Sequence, residues 1–161
     1  MKKHILEFRN YMRNAVVFDV DGVLLDTSFI FKEILDLKLR GDAKWDYFMA
    51  NCNSDRVTAI PNSFELFFKF LSFYDTDVFI STARNDKCRE ETYTKLLKEC
   101  FIIPKGNLFM RKNKDYRSSQ EVKKEHLIEI SKTHKIIAFI DDELINCEMA
   151  KEMGIFALRK V

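Results

Sequence analysis

Four short apolar runs, none of them alternating as a half-solvated strand would, limit what this chain can fold into: Ala15 to Val20, Asp77 to Ser81, Asn107 to Met110 and Ile136 to Ile140. Helical patterns separate them. Ser28 is placed to cap a helix running to about Leu39 and stopping near Gly41, and residues 42–61 read as a short helix followed by a loop. Pro61 suits the start of another helix, on which Phe64, Phe67, Phe68 and Leu71 fall at i, i+3, i+4, i+7 and read as a core stripe. Asn85 or Asp86 caps the next helix, Ser118 with Glu121 forms a capping box for a helix through Ile130, and a helix over 143–153 closes on Gly154 before a last strand at Ile155 to Leu158. Continuous apolar strands interleaved with helices predict a parallel sheet covered on both faces, a Rossmann-like three-layer α/β/α sandwich. Residues 1–14 read as an amphipathic lead-in, and 1–161 as one domain, since 161 residues suffice for one core and not comfortably for two.

The first run ends in Phe18-Asp19-Val20-Asp21-Gly22. Strand side chains alternate, so Asp19 and Asp21 lean the same way, and two carboxylates at that range oppose each other's ionisation unless a cation intervenes. A hard divalent ion with oxygen ligands, Mg²⁺ above all, answers that need, and Gly22 permits a sharp turn close to a ligand. Suspicious residues recur wherever another strand ends: Thr82 and Arg84 after the second, Asp141 and Asp142 after the fourth, with Lys123 near a helix start. Ligands of such sheets bind beyond the carboxyl ends of the strands.

These residues resemble the haloacid dehalogenase-like (HAD) phosphohydrolases over nearly the whole chain: Phe18 to Gly22 is similar to the family's first motif, Ile80 to Arg84 to its second, Lys123 to its third and Ile140 to Asp142 to its fourth. The resemblance implies a Mg²⁺-dependent phosphomonoester hydrolase. Asp19 would be the nucleophile of an aspartyl-phosphate intermediate, and Asp21 the general acid and then the base. Lys123 would neutralise transition-state charge and tether Asp19; Thr82, Arg84 and the Gly22 N–H would hold phosphoryl oxygens. The metal would take Asp19, the Asp21 backbone carbonyl and Asp141, with Asp142 as a further ligand ranked behind Asp141. Two positions depart from the family pattern, Val23 where threonine is common and Asn146 where many relatives carry an acid.

The segment between Asp21 and Thr82 is mostly needed for connecting helices, which implies little or no cap and an open site suited to a macromolecular phosphate end. Met110-Arg111, Asp115-Tyr116-Arg117 and Val122-Lys123 resemble the phosphatase module of polynucleotide kinase 3′-phosphatases. Arg111, Lys112, Lys114 and Arg117 are therefore candidate nucleic-acid contacts, with Tyr116 among them as a stacking surface. The alternatives are a phosphatase of free nucleotides or other small phosphoesters, and an inactive module that binds phosphorylated partners.

Composition excludes more than it assigns. A net charge of +2 is too small to imply nucleic acid or membrane by itself, and 47% hydrophobic residues with four glycines and two prolines argue against disorder. Cys52, Cys88, Cys100 and Cys147 form no CxxC pair, so reduced thiols in a cytoplasmic protein are expected. No P-loop sequence, signal-peptide pattern or membrane-spanning run is present, His4, His126 and His134 lack metal-ligand spacing, and no obligate protein partner is implied.

Overall fold

The computed structural model describes residues 12–161; the lead-in expected over 1–14 lies almost wholly outside them. Within the described residues a parallel sheet runs in the order β5-β4-β1-β6-β7: β1 is Asn14–Phe18, β4 Thr76–Asn85, β5 Leu108–Arg111, β6 Lys135–Asp141 and β7 Ala157–Arg159. The central strand shows why the sequence lacks alternation. Val16 and Phe18 pack into one cluster with Ile30, Phe67 and Leu96, whereas Ala15 and Val17 pack on the opposite face with Leu127, Ile130 and Met149. Both faces of β1 are thus buried, by α1 (Ser28–Asp36), α3 (Ser63–Leu71) and α4 (Arg89–Lys98) on one side and by α5 (Ser119–Ser131) and α6 (Leu144–Glu152) on the other.

Register brings the strand ends level. Phe18 pairs with Ile80 of β4 and with Ile140 of β6, so the residue after Phe18 meets Ser81 on one side and Asp141 on the other. The capping box on α5 forms as expected, Ser118 Oγ accepting from the Glu121 N–H at 3.2 Å and the Glu121 carboxylate accepting from the Ser118 N–H at 2.9 Å. That fixes the helix's first turn so that Val122 and Lys123 are buried.

Several local expectations shift. The buried side of α3 is Ser63, Leu66, Phe67 and Phe70, not the Phe64, Phe67, Phe68, Leu71 stripe; Phe67 is fully buried while Phe64 is 42% exposed. The two sets have identical helical spacing one residue apart, and the polar face of Glu65 and Lys69 lies opposite Phe67, which both sets share, so it does not choose between them. Phe67 is held by Phe18 and Phe101, with ring centroids 5.5 and 5.1 Å away. Ser28 lies inside α1 instead of capping it, and its N–H and Oγ both donate to Asp26 Oδ1.

A small antiparallel ribbon, β2 (Leu25–Asp26) with β3 (Thr58–Ala59), was not expected; strands of two residues carry no periodicity. It closes off the segment that holds only α1 and α2 (Gly41–Asn51), consistent with little cap. No described helix is long and apolar enough to cross a membrane.

Candidate active site

Three adjacent strands and one helix deliver the site. Asp19 follows β1, its N–H donating to the Ile140 carbonyl at 2.9 Å. Lys123 reaches it from α5: its Nζ lies 2.7 Å from Asp19 Oδ2 and 2.7 Å from Asp141 Oδ2, and the lysine is 2% exposed. Burial alone would lower the Lys123 pKa, but the Asp19 and Asp141 carboxylates outweigh it and raise it. Asp19 is driven well above the usual carboxylate range, by burial first and by Asp141 and Asp21 beyond that, against the attraction of Lys123.

Asp141 is fully engaged at one oxygen, Oδ1 accepting from the Glu143 N–H at 2.9 Å and from Asn146 Nδ2 at 3.0 Å, while Oδ2 takes Lys123. Asp142 is half-buried and has only its own backbone N–H as a hydrogen-bond donor among the described residues; burial, then Asp141, pushes its pKa up to about 6. Asp142 is therefore the freer of the two carboxylates. The order could not be read from the sequence because Asn146, five residues along α6, determines it.

One oxygen from each of Asp19, Asp141 and Asp142 lies within 4.8 Å of the others. Ligands around one octahedral ion at ~2.1 Å sit about 3–4 Å apart, so little closure is required. The charge agrees: with all three carboxylates ionised, the single ammonium of Lys123 leaves two negative charges, which one divalent cation would balance. All donors are hard oxygens, which fits Mg²⁺ better than a thiolate- or imidazole-seeking metal.

Asp21 sits at the rim, its side chain 20% exposed, in a neutral pair of its own. Arg84 Nε donates to Asp21 Oδ2 at 2.9 Å and Nη2 to Oδ1 at 2.7 Å, and the same guanidinium reaches Asn53 Oδ1 at 2.7 Å, Thr92 Oγ1 at 3.3 Å and the Cys52 carbonyl at 3.0 Å. Burial opposes its charge, yet Asp21 raises the Arg84 pKa further. The fork expected to face a substrate phosphate thus faces Asp21, tying it to the end of α2 and to α4. Asn53 and the Cys52 carbonyl carried no signal in the sequence, because they arrive from a loop distant along the chain.

Thr82 is buried, its Oγ1 accepting the Arg84 N–H at 3.2 Å and keeping its own proton to donate. The Gly22 N–H, expected to face a phosphoryl oxygen, donates instead to the Leu25 carbonyl at 3.0 Å. Gly22 is required for a different reason. Its φ of +74° is left-handed, and an added Cβ would stand 2.4 Å from Asp142 Oδ2. Gly22→Ala is expected to cost about 1–2 kcal/mol for the backbone alone and to displace Asp142, lowering metal affinity more than stability; metal titration beside urea unfolding measures both. Behind the turn, Ser63 Oγ donates to the Val23 carbonyl, which also receives Lys160 Nζ at 3.1 Å.

Three of the four candidate nucleic-acid cations have partners. Arg111 donates to the backbone carbonyls of Ala83, Asp115 and Arg117, Arg117 pairs with Asp115 and Glu125, and Lys112 pairs with Glu125. Lys114, in a left-handed turn, has no ion pair among the described residues, and Tyr116 is 90% exposed between Asp115 and Arg117, two of the three residues whose carbonyls Arg111 holds.

A profile of the HAD superfamily, subfamily IIIB (acid phosphatase), matches residues 3–156. Among solved structures, a chain of the Pnkp1/Rnl/Hen1 RNA repair complex superimposes with a TM-score of 0.72 at 21% identity, over 92% of this chain and 42% of that one. A second Pnkp1/Rnl/Hen1 structure gives a TM-score of 0.70 at 21% identity, over 99% of this chain and 50% of that one, so the chain spans half or less of the length of these relatives. The class C acid phosphatase from Bacillus anthracis gives 0.68 at 18% identity, over 93% of this chain and 68% of that one. No curated protein matches the sequence. At such identities these structures establish the fold.

Proposed function

Because the chain belongs to the HAD superfamily, subfamily IIIB, the acid phosphatase family, we propose that it hydrolyses phosphomonoesters through an aspartyl-phosphate on Asp19, acting in the cytoplasm on nucleic-acid 3′-phosphate ends. The observation that carries this reading is the buried lysine shared by Asp19 and Asp141, with Asp21 clamped beside them.

Lys123 holds Asp19 Oδ2, which leaves Oδ1 to attack phosphorus. Asp21 takes up a proton before the step; as the Asp19 oxygen bonds to phosphorus, the bond to the leaving oxygen breaks, and Asp21 passes that proton to the leaving oxygen. Asp21 then takes a proton from water as the water attacks the aspartyl-phosphate, releasing phosphate and restoring Asp19. Thr82 donates its hydroxyl proton to a phosphoryl oxygen, and Arg84 acts by orienting Asp21. Asp19, Asp142, the Asp21 carbonyl and the remaining lone pair of Asp141 Oδ2 would hold Mg²⁺. When bound, the ion supplies the positive charge that lets a carboxylate approach a dianionic phosphate.

Metal removal has a defined outcome. EDTA should abolish phosphate release and Mg²⁺ restore it; Mg²⁺ at about 100 times its Kd should also stabilise the fold by ~2.7 kcal/mol, read as a rise in Tm. A Tm indifferent to Mg²⁺ would refute binding at the carboxylates.

The structural likeness to Pnkp1 chains and the short insertion between β2 and β3 support a nucleic-acid end. The pairing of Arg111, Lys112 and Arg117 with groups of β4, α5 and their own loop favours the second reading, a small phosphoester. Phosphate release from a 3′-phosphorylated oligonucleotide, its 5′-phosphorylated counterpart and a mononucleotide separates them. Fastest release from the 3′ end, falling steeply with salt, is expected; preference for the mononucleotide would move the substrate to small metabolites.

A further inference from the structure

The last residues of the chain bring two cations to the metal-site carboxylates. Arg159 of the edge strand β7 pairs with Asp141 of β6, and its Nε donates to the Asp142 carbonyl at 3.0 Å. The Lys160 N–H donates to the Asp141 carbonyl at 2.9 Å. Its side chain then crosses to the turn after Asp21, where Nζ donates to the Val23 carbonyl at 3.1 Å and to Ser63 Oγ at the start of α3. Both cations are therefore fixed beside the site by hydrogen bonds to its own backbone.

They form one wall of an open cleft of about 480 Å³ between β7 and α3, within the ~300–1,000 Å³ of ligand-binding clefts. Glu65 and Lys69 line the opposite wall on α3, and Leu66, Ile140 and Leu158 add an apolar lining. From Ser63 to Lys69 the helix rises ~9 Å, so the cations are strung along the cleft, not gathered at one point. Lys69, Arg159 and Lys160 face a single lining carboxylate, Glu65, and none of the three has an ion pair among the described residues. The β5 side of the site differs, because Lys112 and Arg117 are already paired with Asp115 and Glu125. On the β4 side Asp21 is tied through Arg84 to Asn53 and Thr92.

We propose that the cleft between α3 and β7 is the track of the nucleic-acid strand whose 3′-phosphate enters the site, with Lys69, Arg159 and Lys160 facing its phosphodiesters. The assignment rests on the phosphatase reading of the site and adds the side from which the strand arrives. Spaced cations over an apolar lining suit a single strand, which carries a negative charge at every step and offers apolar sugar and base faces between the charges. A free mononucleotide has no second phosphate to place there. Arg159, joined to the Asp142 carbonyl, meets the phosphodiesters nearest the metal site, and Lys69 meets those farther along the strand.

The test is fluorescence anisotropy of a 5′-fluorescein-labelled oligothymidylate ending in a 3′-phosphate. It is titrated in Mg²⁺, at several salt concentrations, with the full chain carrying Asp19→Asn so that the probe stays intact. The logarithm of the affinity should fall linearly with the logarithm of the salt concentration, with a slope shallower by about 0.7 for each phosphate contact removed. Lys69→Gln and Arg159→Gln are each expected to make that change. Lys69 is exposed on α3, so its substitution reads charge and not folding. Unchanged slopes in both variants overturn the cleft, and a shallower slope in Lys114→Gln alone moves the strand to the β5 side. Displacement of the probe by polyglutamate as readily as by unlabelled oligothymidylate overturns the nucleic-acid assignment in favour of an acidic polypeptide. Unchanged slopes beside phosphate release from the same oligonucleotide by the unsubstituted chain strike the cleft alone. Shallower slopes with no phosphate release strike the phosphatase reading alone.

Discussion

Asp19→Asn is expected to remove phosphate release entirely, by more than about 1,000-fold in kcat, while leaving the protein folded. The amide keeps the size of the carboxylate and still offers an oxygen to Lys123 Nζ, and Lys123 retains its charged partner at Asp141 Oδ2, 2.7 Å away. Burial and the neighbouring carboxylates already oppose ionisation of Asp19, so the neutral substitute relieves that opposition even as it loses the lysine's charge. Stability and catalysis should therefore part company. Steady-state turnover beside urea unfolding checks it: an inactive variant whose midpoint lies close to wild type supports the nucleophile. Turnover persisting in the variant would sink the aspartyl-phosphate on Asp19, whereas no turnover by the wild type on any phosphomonoester would leave the phospho-binding module as the working description.

Lys123→Met should act on both properties at once. The ammonium is buried against two carboxylates, and removing one partner of a buried ion pair leaves charge without compensation at a cost of about 3–5 kcal/mol. Methionine fills most of the stem's volume, so the loss reports charge more than a cavity. Unfolding in EDTA should show the full deficit. Mg²⁺ should recover part of it, because the cation neutralises the same oxygens, whereas turnover stays low without the lysine's charge near the transferred phosphoryl group. Equal stability of variant and wild type in EDTA would mean that Asp19 or Asp141 takes up a proton instead, which a proton-uptake measurement on folding would register.

The sequence made the sheet legible through runs such as Ala15 to Phe18 and Ile136 to Ile140, apolar at every position because each side chain has a covered face to enter. It also showed which strand ends carry Asp19, Asp21, Thr82, Arg84, Asp141 and Asp142. Parallel strands separated by helices place those ends on one edge whatever the details of packing. The α5 capping box was equally plain, being a local exchange of hydrogen bonds between Ser118 and Glu121.

What escaped the sequence was decided by residues far apart in the chain. The buried side of α3 rests on Phe18 and Phe101 choosing Phe67, a choice that two equivalent stripes could not reveal. β4 extends through Arg84 to Asn85, where Asn85 pairs with Arg111 of β5, although only Ala83 among residues 82–85 is apolar.

The residue types and their spacing determined that carboxylates, a lysine and an arginine would gather at the carboxyl edge of a parallel sheet, since strand direction and chain order are local properties. Only the tertiary structure decided what each group faces there. Arg84 turns to Asp21 because Asn53, Cys52 and Thr92 surround it, the Gly22 amide turns to Leu25, and Asp142 is left freer than Asp141 because Asn146 and Glu143 engage the latter. A buried polar group must find a partner within hydrogen-bond reach, and which partner arrives is settled by packing between elements that are distant in sequence.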